Sequence, residues 1–224
     1  MSLRTFLKKS PAALFVWTKV TDFFASIHWP RFQALINGGV YYSLKEADHD
    51  KIRRLLKENY LIILTRRKSH LTTYLIGLVS LMATGKASFY THALMNVEGD
   101  IEDHLDFKLI EATAVGVHYS TFMQVFDCDS TALLKPKGID LGEWTKVLDA
   151  VKKEIGEEYD TLFDITDAKK VSCVEMVYQG IRKLPDYRTR FPDLVKWIDA
   201  AENNLTPQML QDCGDFEVVF EARR

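Results

Sequence analysis

Thr91-His92-Ala93-Leu94-Met95-Asn96-Val97, Phe107-Lys108-Leu109-Ile110-Glu111-Ala112, Val115-Gly116-Val117-His118-Tyr119 and Phe122-Met123-Gln124-Val125-Phe126 are the runs that decide the fold. Each is short and rich in β-branched, aromatic and aliphatic side chains. Gly99-Asp100 and Gly116 fall between or within them, where turns and bends are required. The pattern predicts an antiparallel meander. Upstream, the apolar run Tyr60–Thr65 (YLIILT) reads as a buried strand, and downstream Phe216–Glu221 (FEVVFE) alternates as a final strand.

Helical periodicity lies on both sides of the meander. Ala12–Ser26 places Leu14, Trp17, Val20 and Phe24 on one face, too apolar to leave in water and expected to pack on the core or on a second subunit. Lys45–Asn59 is a charged helix whose apolar contacts come from Ile52, Leu55 and Leu56. Leu71–Met82 carries a stripe of Leu71, Tyr74, Leu75, Leu78 and Met82, read as core-facing. Asp140 followed by Glu143 caps a long helix with a stripe from Leu141 to Ile155 that Gly156 stops. Further helices are predicted from about Ser172, over Pro192–Glu202, and after Thr206-Pro207. The fold class is α+β, a central antiparallel sheet flanked by helices.

The 224 residues carry 29 basic and 31 acidic side chains, a formal charge of −2 that offers no general basic field for nucleic acid. Cys128, Cys173 and Cys213 are odd in number, widely spaced and without a CxxC pair, which fits a reduced, cytoplasmic setting. Lys19 and Asp22 interrupt the apolar stretch near the N-terminus, and Leu71–Ala83 falls short of the roughly 20 residues a spanning helix needs, so neither a signal peptide nor a transmembrane segment is expected. Gly85-Lys86-Ala87-Ser88 lacks the upstream glycine of a phosphate loop, and neither GxSxG nor HExxH occurs. The acidic stretch Asp100–Asp106 lacks calcium-loop spacing, and Cys128 and Cys213 lack zinc partners. Arg66-Arg67-Lys68 reads as a solvated turn before a core helix. No metal or organic cofactor is expected.

Ser172-Cys173-Val174-Glu175 carries the chemical signal. Ser with Glu three residues later is a capping box, which puts Cys173 in the first turn of a helix. Unpaired N–H groups and the positive end of the helix dipole there favour a thiolate and can stabilise an oxyanion. A small buried core cysteine is the competing reading. A nucleophilic cysteine needs a base and a group to orient it. His28, His49, His70 and His104 lie in polar or charged surroundings, whereas His92 and His118 sit on strands between apolar neighbours. Glu111, inside an apolar strand, needs a partner there. Alternation alone leaves both histidines open.

Tyr60–Thr65, Tyr90-Thr91-His92-Ala93, Ile110-Glu111-Ala112, Gly116-Val117 and Phe126 come in the order of blocks in a known family. Gly156–Asp164, Ser172–Val177 and Thr206-Pro207 continue that order. The chain resembles the circularly permuted papain-like amidases, the YiiX-like branch of the NlpC-type cysteine peptidases, from about Tyr60 to Phe220. Gly156-Glu-Glu-Tyr159-Asp160-Thr-Leu-Phe163 is similar to the family's G-x-x-Y-D-x-x-F approach to the nucleophile. Val174 stands where that family often has Ser, and Asn59-Tyr60 replaces its Gly-Asp.

The resemblance implies a permuted papain-like (NlpC-type) fold with Cys173 as nucleophile, His92 as general base and Glu111 as the orienting residue. Tyr90, Tyr159 and Ser172, within the matched blocks, are the candidate substrate-binding residues. Residues 59–224 form the expected catalytic domain, with 1–58 as a helical extension packed on it. The expected activity is that of a thiol hydrolase, a cysteine peptidase or amidase acting on a small peptide, an amino-acid amide or a cell-wall peptide. A lipid acyltransferase or esterase of the same fold is the first alternative, with Leu71–Met82 as its interfacial element. A non-catalytic binding module is the second, and it predicts that His92 and Cys173 stand apart.

Overall fold

The structure, a computed structural model, describes residues 9–26, 43–68, 70–97, 108–160, 170–200 and 206–224. In chain order these form α1 (Pro11–Ser26), α2 (Glu46–Glu58), β1 (Ile62–Arg66), α3 (Leu71–Thr84), β2 (His92–Asn96), β3 (Leu109–Thr113), β4 (Gly116–Ser120), α4 (Phe122–Phe126) and β5 (Ser130–Pro136). There follow α5 (Leu141–Lys152), β6 (Glu158–Tyr159), β7 (Lys170–Val171), α6 (Cys173–Ile181), α7 (Tyr187–Arg190), α8 (Pro192–Ala200), α9 (Pro207–Asp212) and β8 (Phe216–Ala222). His28, the acidic stretch with His104, and Phe163-Asp164 lie outside the described residues.

Six strands pair antiparallel in the order β4-β3-β2-β1-β5-β8, so the strand read from Tyr60–Thr65 lies inside the sheet. Its continuous apolar run is explained by burial on both faces. Ile62 and Leu64 join Ala93, Met95, Ile110 and Leu134 beneath α5 and α6, while Leu61 and Ile63 join Leu94, Leu109 and Leu133 against α2 and α4. Each such fully buried aliphatic side chain contributes about 1.5–3 kcal/mol. From α2, Ile52 and Leu56 are fully buried, the face expected of that charged helix.

α5 and α6 approach closely because Gly180 has no side chain. A Cβ there would stand 2.7 Å from Val151 Cγ2 and 2.8 Å from Val147 Cγ1. A second glycine holds β4 to the segment before β6. Gly116 has φ +97, and a Cβ would lie 2.6 Å from the Glu157 carbonyl oxygen. Val117 N donates to Glu157 O at 3.0 Å and Gly156 N to Val117 O at 2.9 Å, which anchors the chain just before Tyr159.

Phe122–Phe126, expected as a strand, is helix α4, because Thr121 and Gln124 make a capping box: Thr121 N donates to Gln124 Oε1 at 2.8 Å and Gln124 N to Thr121 Oγ1 at 3.4 Å. β5, unassigned in the sequence, occupies the place between β1 and β8. The α5 stripe is narrower than expected, with Leu141 exposed and Ile155 beyond the helix end. The α3 stripe is not wholly core-facing, since Tyr74 and Leu78 are exposed. On α1, which lies against α3, Trp17 is half-buried and Val20 exposed. The side chains of Leu14 and Phe24 lie outside the described residues. Arg66-Arg67-Lys68 is no solvated turn: Arg66 donates to Phe89 O at 3.0 Å, Arg67 to Asp127 O at 3.0 Å and Lys68 to Arg224 O at 2.7 Å.

Candidate active site

β2 and β3 pair with Leu94 opposite Glu111, so His92, two residues along β2, is the diagonal neighbour of that carboxylate on the same face. Across β4 the register sets His118 opposite Glu111, with Ser120 as the next residue on that face. The side chains converge accordingly. His92 Nε2 stands 2.6 Å from Glu111 Oε2, and the Ser120 hydroxyl donates to Glu111 Oε1. His118 Nε2 is 3.6 Å from Glu111 Oε1, while its Nδ1 meets Gly116 O at 2.9 Å. Glu111, 8% exposed, thus has the partners that its burial requires.

Cys173 is the first residue of α6, which packs on β2 and β3. Ser172 caps the helix: Glu175 N donates to Ser172 Oγ at 3.4 Å and Ser172 N to Glu175 Oε2 at 3.2 Å. The first main-chain bond of the helix runs from Met176 N to Ser172 O at 2.9 Å, so the N–H groups of Cys173 and Val174 precede the helical ladder. His92 is the first residue of β2, on the face of the sheet that carries Leu94 and Glu111. Its side-chain hydrogen bond runs to Glu111, and the Cys173 thiol is among the groups that favour the charged ring.

These contacts set the charge states. Burial by itself disfavours a charged His92, but the Cys173 thiol and the Glu111 carboxylate outweigh it and hold the imidazolium up to about 9. Burial likewise disfavours the Glu111 carboxylate, and the hydrogen bond and charge of His92, with the Ser120 hydroxyl, overcome it and bring the carboxyl down to about 2. The two shifts are one interaction seen from its two ends. Burial pushes Cys128 up to about 12, and burial with the neighbouring Asp215 pushes Cys213 up as well. All three cysteines are free and buried.

Tyr159 is set near the same residue. Parallel pairing of β6 with β7 puts it opposite Val171, two residues before Cys173. Burial first, then the charges of Cys173 and Asp160, hold the phenol well above its ordinary range, so it remains a donor. Tyr90 is placed differently. Its side chain is fully buried and its hydroxyl donates to Glu221 Oε1 at 2.8 Å. Ser172 spends its hydroxyl on the helix cap. Ser120 was missed in the sequence, where a serine between Tyr119 and Thr121 gives no signal; only the β3–β4 register brings it to Glu111.

A cavity of about 490 Å³ lined by Tyr60, Lys135, Pro136 and Trp144 lies at the other end of β1 and β5, away from Cys173. Among the described residues no group of three or more His, Cys, Asp or Glu side chains is arranged to hold a metal ion. The donors nearest one another, His92 and Glu111, face each other at hydrogen-bond distance instead. None of the described helices is long and apolar enough to cross a membrane.

No family model and no curated protein matches the sequence. Among solved structures the chain is similar to the metalloprotein yiiX from Escherichia coli O157:H7, of the DUF1105 group, with 17% identity and a TM-score of 0.51. The match covers 73% of this chain and 97% of that one. At that identity the likeness establishes a shared fold: an α+β fold with a central antiparallel sheet flanked by helices, remotely similar to yiiX.

Proposed function

We propose that the protein is a thiol hydrolase of the amidase or peptidase type, with Cys173 as nucleophile, His92 as general acid and base, and Glu111 as the residue that orients the ring. The observation that carries this reading is the buried His92–Glu111 pair, 2.6 Å apart, on the two strands against which the helix that begins at Cys173 packs.

The Cys173 sulfur, paired with the His92 imidazolium, attacks the carbonyl carbon of an amide. The N–H groups that open α6 and the Tyr159 hydroxyl donate to the oxyanion. As the C–N bond breaks, His92 gives its proton to the leaving amine, and a thioester to Cys173 remains. His92 then takes a proton from water, whose oxygen attacks the thioester, releasing a carboxylic acid and restoring the pair. Substrates of this reading are small peptides, amino-acid amides or cell-wall peptides.

A second reading, acyl transfer or ester cleavage on a lipid by the same residues, draws on one observation. The apolar helix α3 starts beside the site, with Thr73 Oγ1 3.3 Å from Thr91 Oγ1, next to His92. An activated ester such as 4-nitrophenyl acetate tests the shared chemistry by intact-mass spectrometry. One acetyl group on Cys173, removed by hydroxylamine and absent in Cys173→Ala and His92→Ala, is the expected result. Acetylation that spreads over lysines and ignores both substitutions overturns the nucleophile. A following panel of dipeptide amides and phospholipids separates the two substrate classes.

A further inference from the structure

Six of the twelve large apolar side chains that the described residues leave exposed lie on α1 and α3, which pack against each other; the other six are scattered over the rest of the protein. Phe15 is 63% exposed, Val16 59%, Leu78 52% and Leu81 46%, with Val20 and Tyr74 beside them. α3 has no charged side chain in its 14 residues, yet it sits at the surface. A patch of this kind marks an interaction face.

Charge indicates what the face meets. The chain is net −2, but residues 1–26 hold four basic side chains with Asp22 as their single acid, and residues 66–97 hold no acid and four basic side chains, of which Arg66, Arg67 and Lys68 are bonded to main-chain carbonyls. Within the described part, Lys9 and Lys19 on the α1 side and Lys86 just past α3 are exposed. The rest of the protein is correspondingly acidic. Two copies meeting through this face would set like charges against each other, since a two-fold interface opposes each patch to itself. An anionic surface with an apolar layer beneath it satisfies both the basic rim and the exposed leucines. The 14 residues of α3 extend about 21 Å, short of a bilayer core, so the helix lies along the surface and does not cross it.

We propose that α1 and α3 form a docking face for an anionic lipid bilayer. Docking brings the α3 start, and with it Thr91 and His92, close to the headgroup layer. This holds whether or not Cys173 is a nucleophile, and its test does not use activity.

The full chain is floated with vesicles of phosphatidylcholine alone and of phosphatidylcholine mixed with phosphatidylglycerol, at low and high salt. Flotation with the anionic vesicles, weakened by salt, is expected. Lys19→Ala and Lys86→Ala should each weaken it about fivefold, and the pair Leu78→Glu and Leu81→Glu should abolish it at an unchanged melting temperature. These side chains are exposed, so the variants fold; if the leucine pair melts early, the lysine variants decide. Absence of flotation, equal flotation on neutral vesicles, or flotation indifferent to the lysines overturns the proposal. So does a concentration-dependent dimer in light scattering that the leucine substitutions dissolve while no vesicle binding is seen, since that assigns the face to a second copy.

Discussion

Replacing Glu111 with Gln removes the charge at 2.6 Å from His92 Nε2 while keeping shape and one acceptor. An opposite charge at this range raises a histidine by about 1–3 pK units, and burial pulls the other way. His92, held up to about 9 in the wild type, should therefore titrate about 1–3 units lower in Glu111→Gln, the equivalent of about 1.4–4 kcal/mol. The same energy appears in stability with a defined pH window. Because the folded His92 is raised, its contribution is complete below the unfolded value near 6.5 and is lost as pH rises towards about 9. Because the folded Glu111 is lowered, its contribution is complete above the unfolded value near 4.5 and is lost as pH falls towards about 2. The stability gap between wild type and Glu111→Gln should thus be widest between about pH 4.5 and 6.5 and close on both sides. Histidine side-chain NMR titration reads the first quantity and urea unfolding across pH the second. A His92 titration unmoved by the substitution, or a gap flat from about pH 5 to 9, would refute the pairing as the source of the shift.

Three further outcomes follow from packing and placement. Gly180→Ala should lower stability by about 1–3 kcal/mol in denaturant unfolding, because the new methyl meets Val147 and Val151 at 2.8 and 2.7 Å. Gly116→Ala should cost at least about 1–3 kcal/mol, since φ +97 strains any L side chain and the Glu157 carbonyl stands 2.6 Å from the Cβ; an unchanged melting temperature would mean the β4 contact is not made. Tyr159→Phe should leave the melting temperature in place while slowing acylation of Cys173 about a hundredfold, as the loss of one oxyanion donor does; an unchanged rate would remove Tyr159 from the site.

Much of the architecture was legible because it rests on short-range physics. The apolar run Tyr60–Thr65 and the meander from Thr91 gave the centre of the sheet, and the caps at Asp140 and Ser172 gave the starts of α5 and α6. β5 escaped because Thr131–Leu134 is a four-residue run between acidic and Lys-Pro neighbours, and only pairing with β1 and β8 makes it a strand. Phe122–Phe126 is as apolar as a strand, and the Thr121–Gln124 cap, legible in hindsight, decides for a helix. β6 and β7, two residues each, exist through their mutual pairing and carry no periodicity. Within the candidate site, the helix start at Cys173 is a local property. That His92 and Glu111 share a face, with Ser120 completing the carboxylate's bonds, depends on inter-strand register, which alternation within one strand does not specify.

Alkylation of the three cysteines by limiting iodoacetamide at about pH 6.5, followed by peptide mapping, tests the central claim most directly. Cys128, pushed up to about 12 by burial, and Cys213, pushed up by burial and Asp215, should stay unmodified while the native fold holds. Cys173, beside the His92 imidazolium at the start of α6, should be labelled first, and His92→Ala should slow its labelling without affecting the other two. Equal labelling of all three cysteines, or labelling of Cys173 that proceeds at the same rate without His92, would contradict an activated nucleophile and leave Cys173 a buried residue at an ordinary helix start.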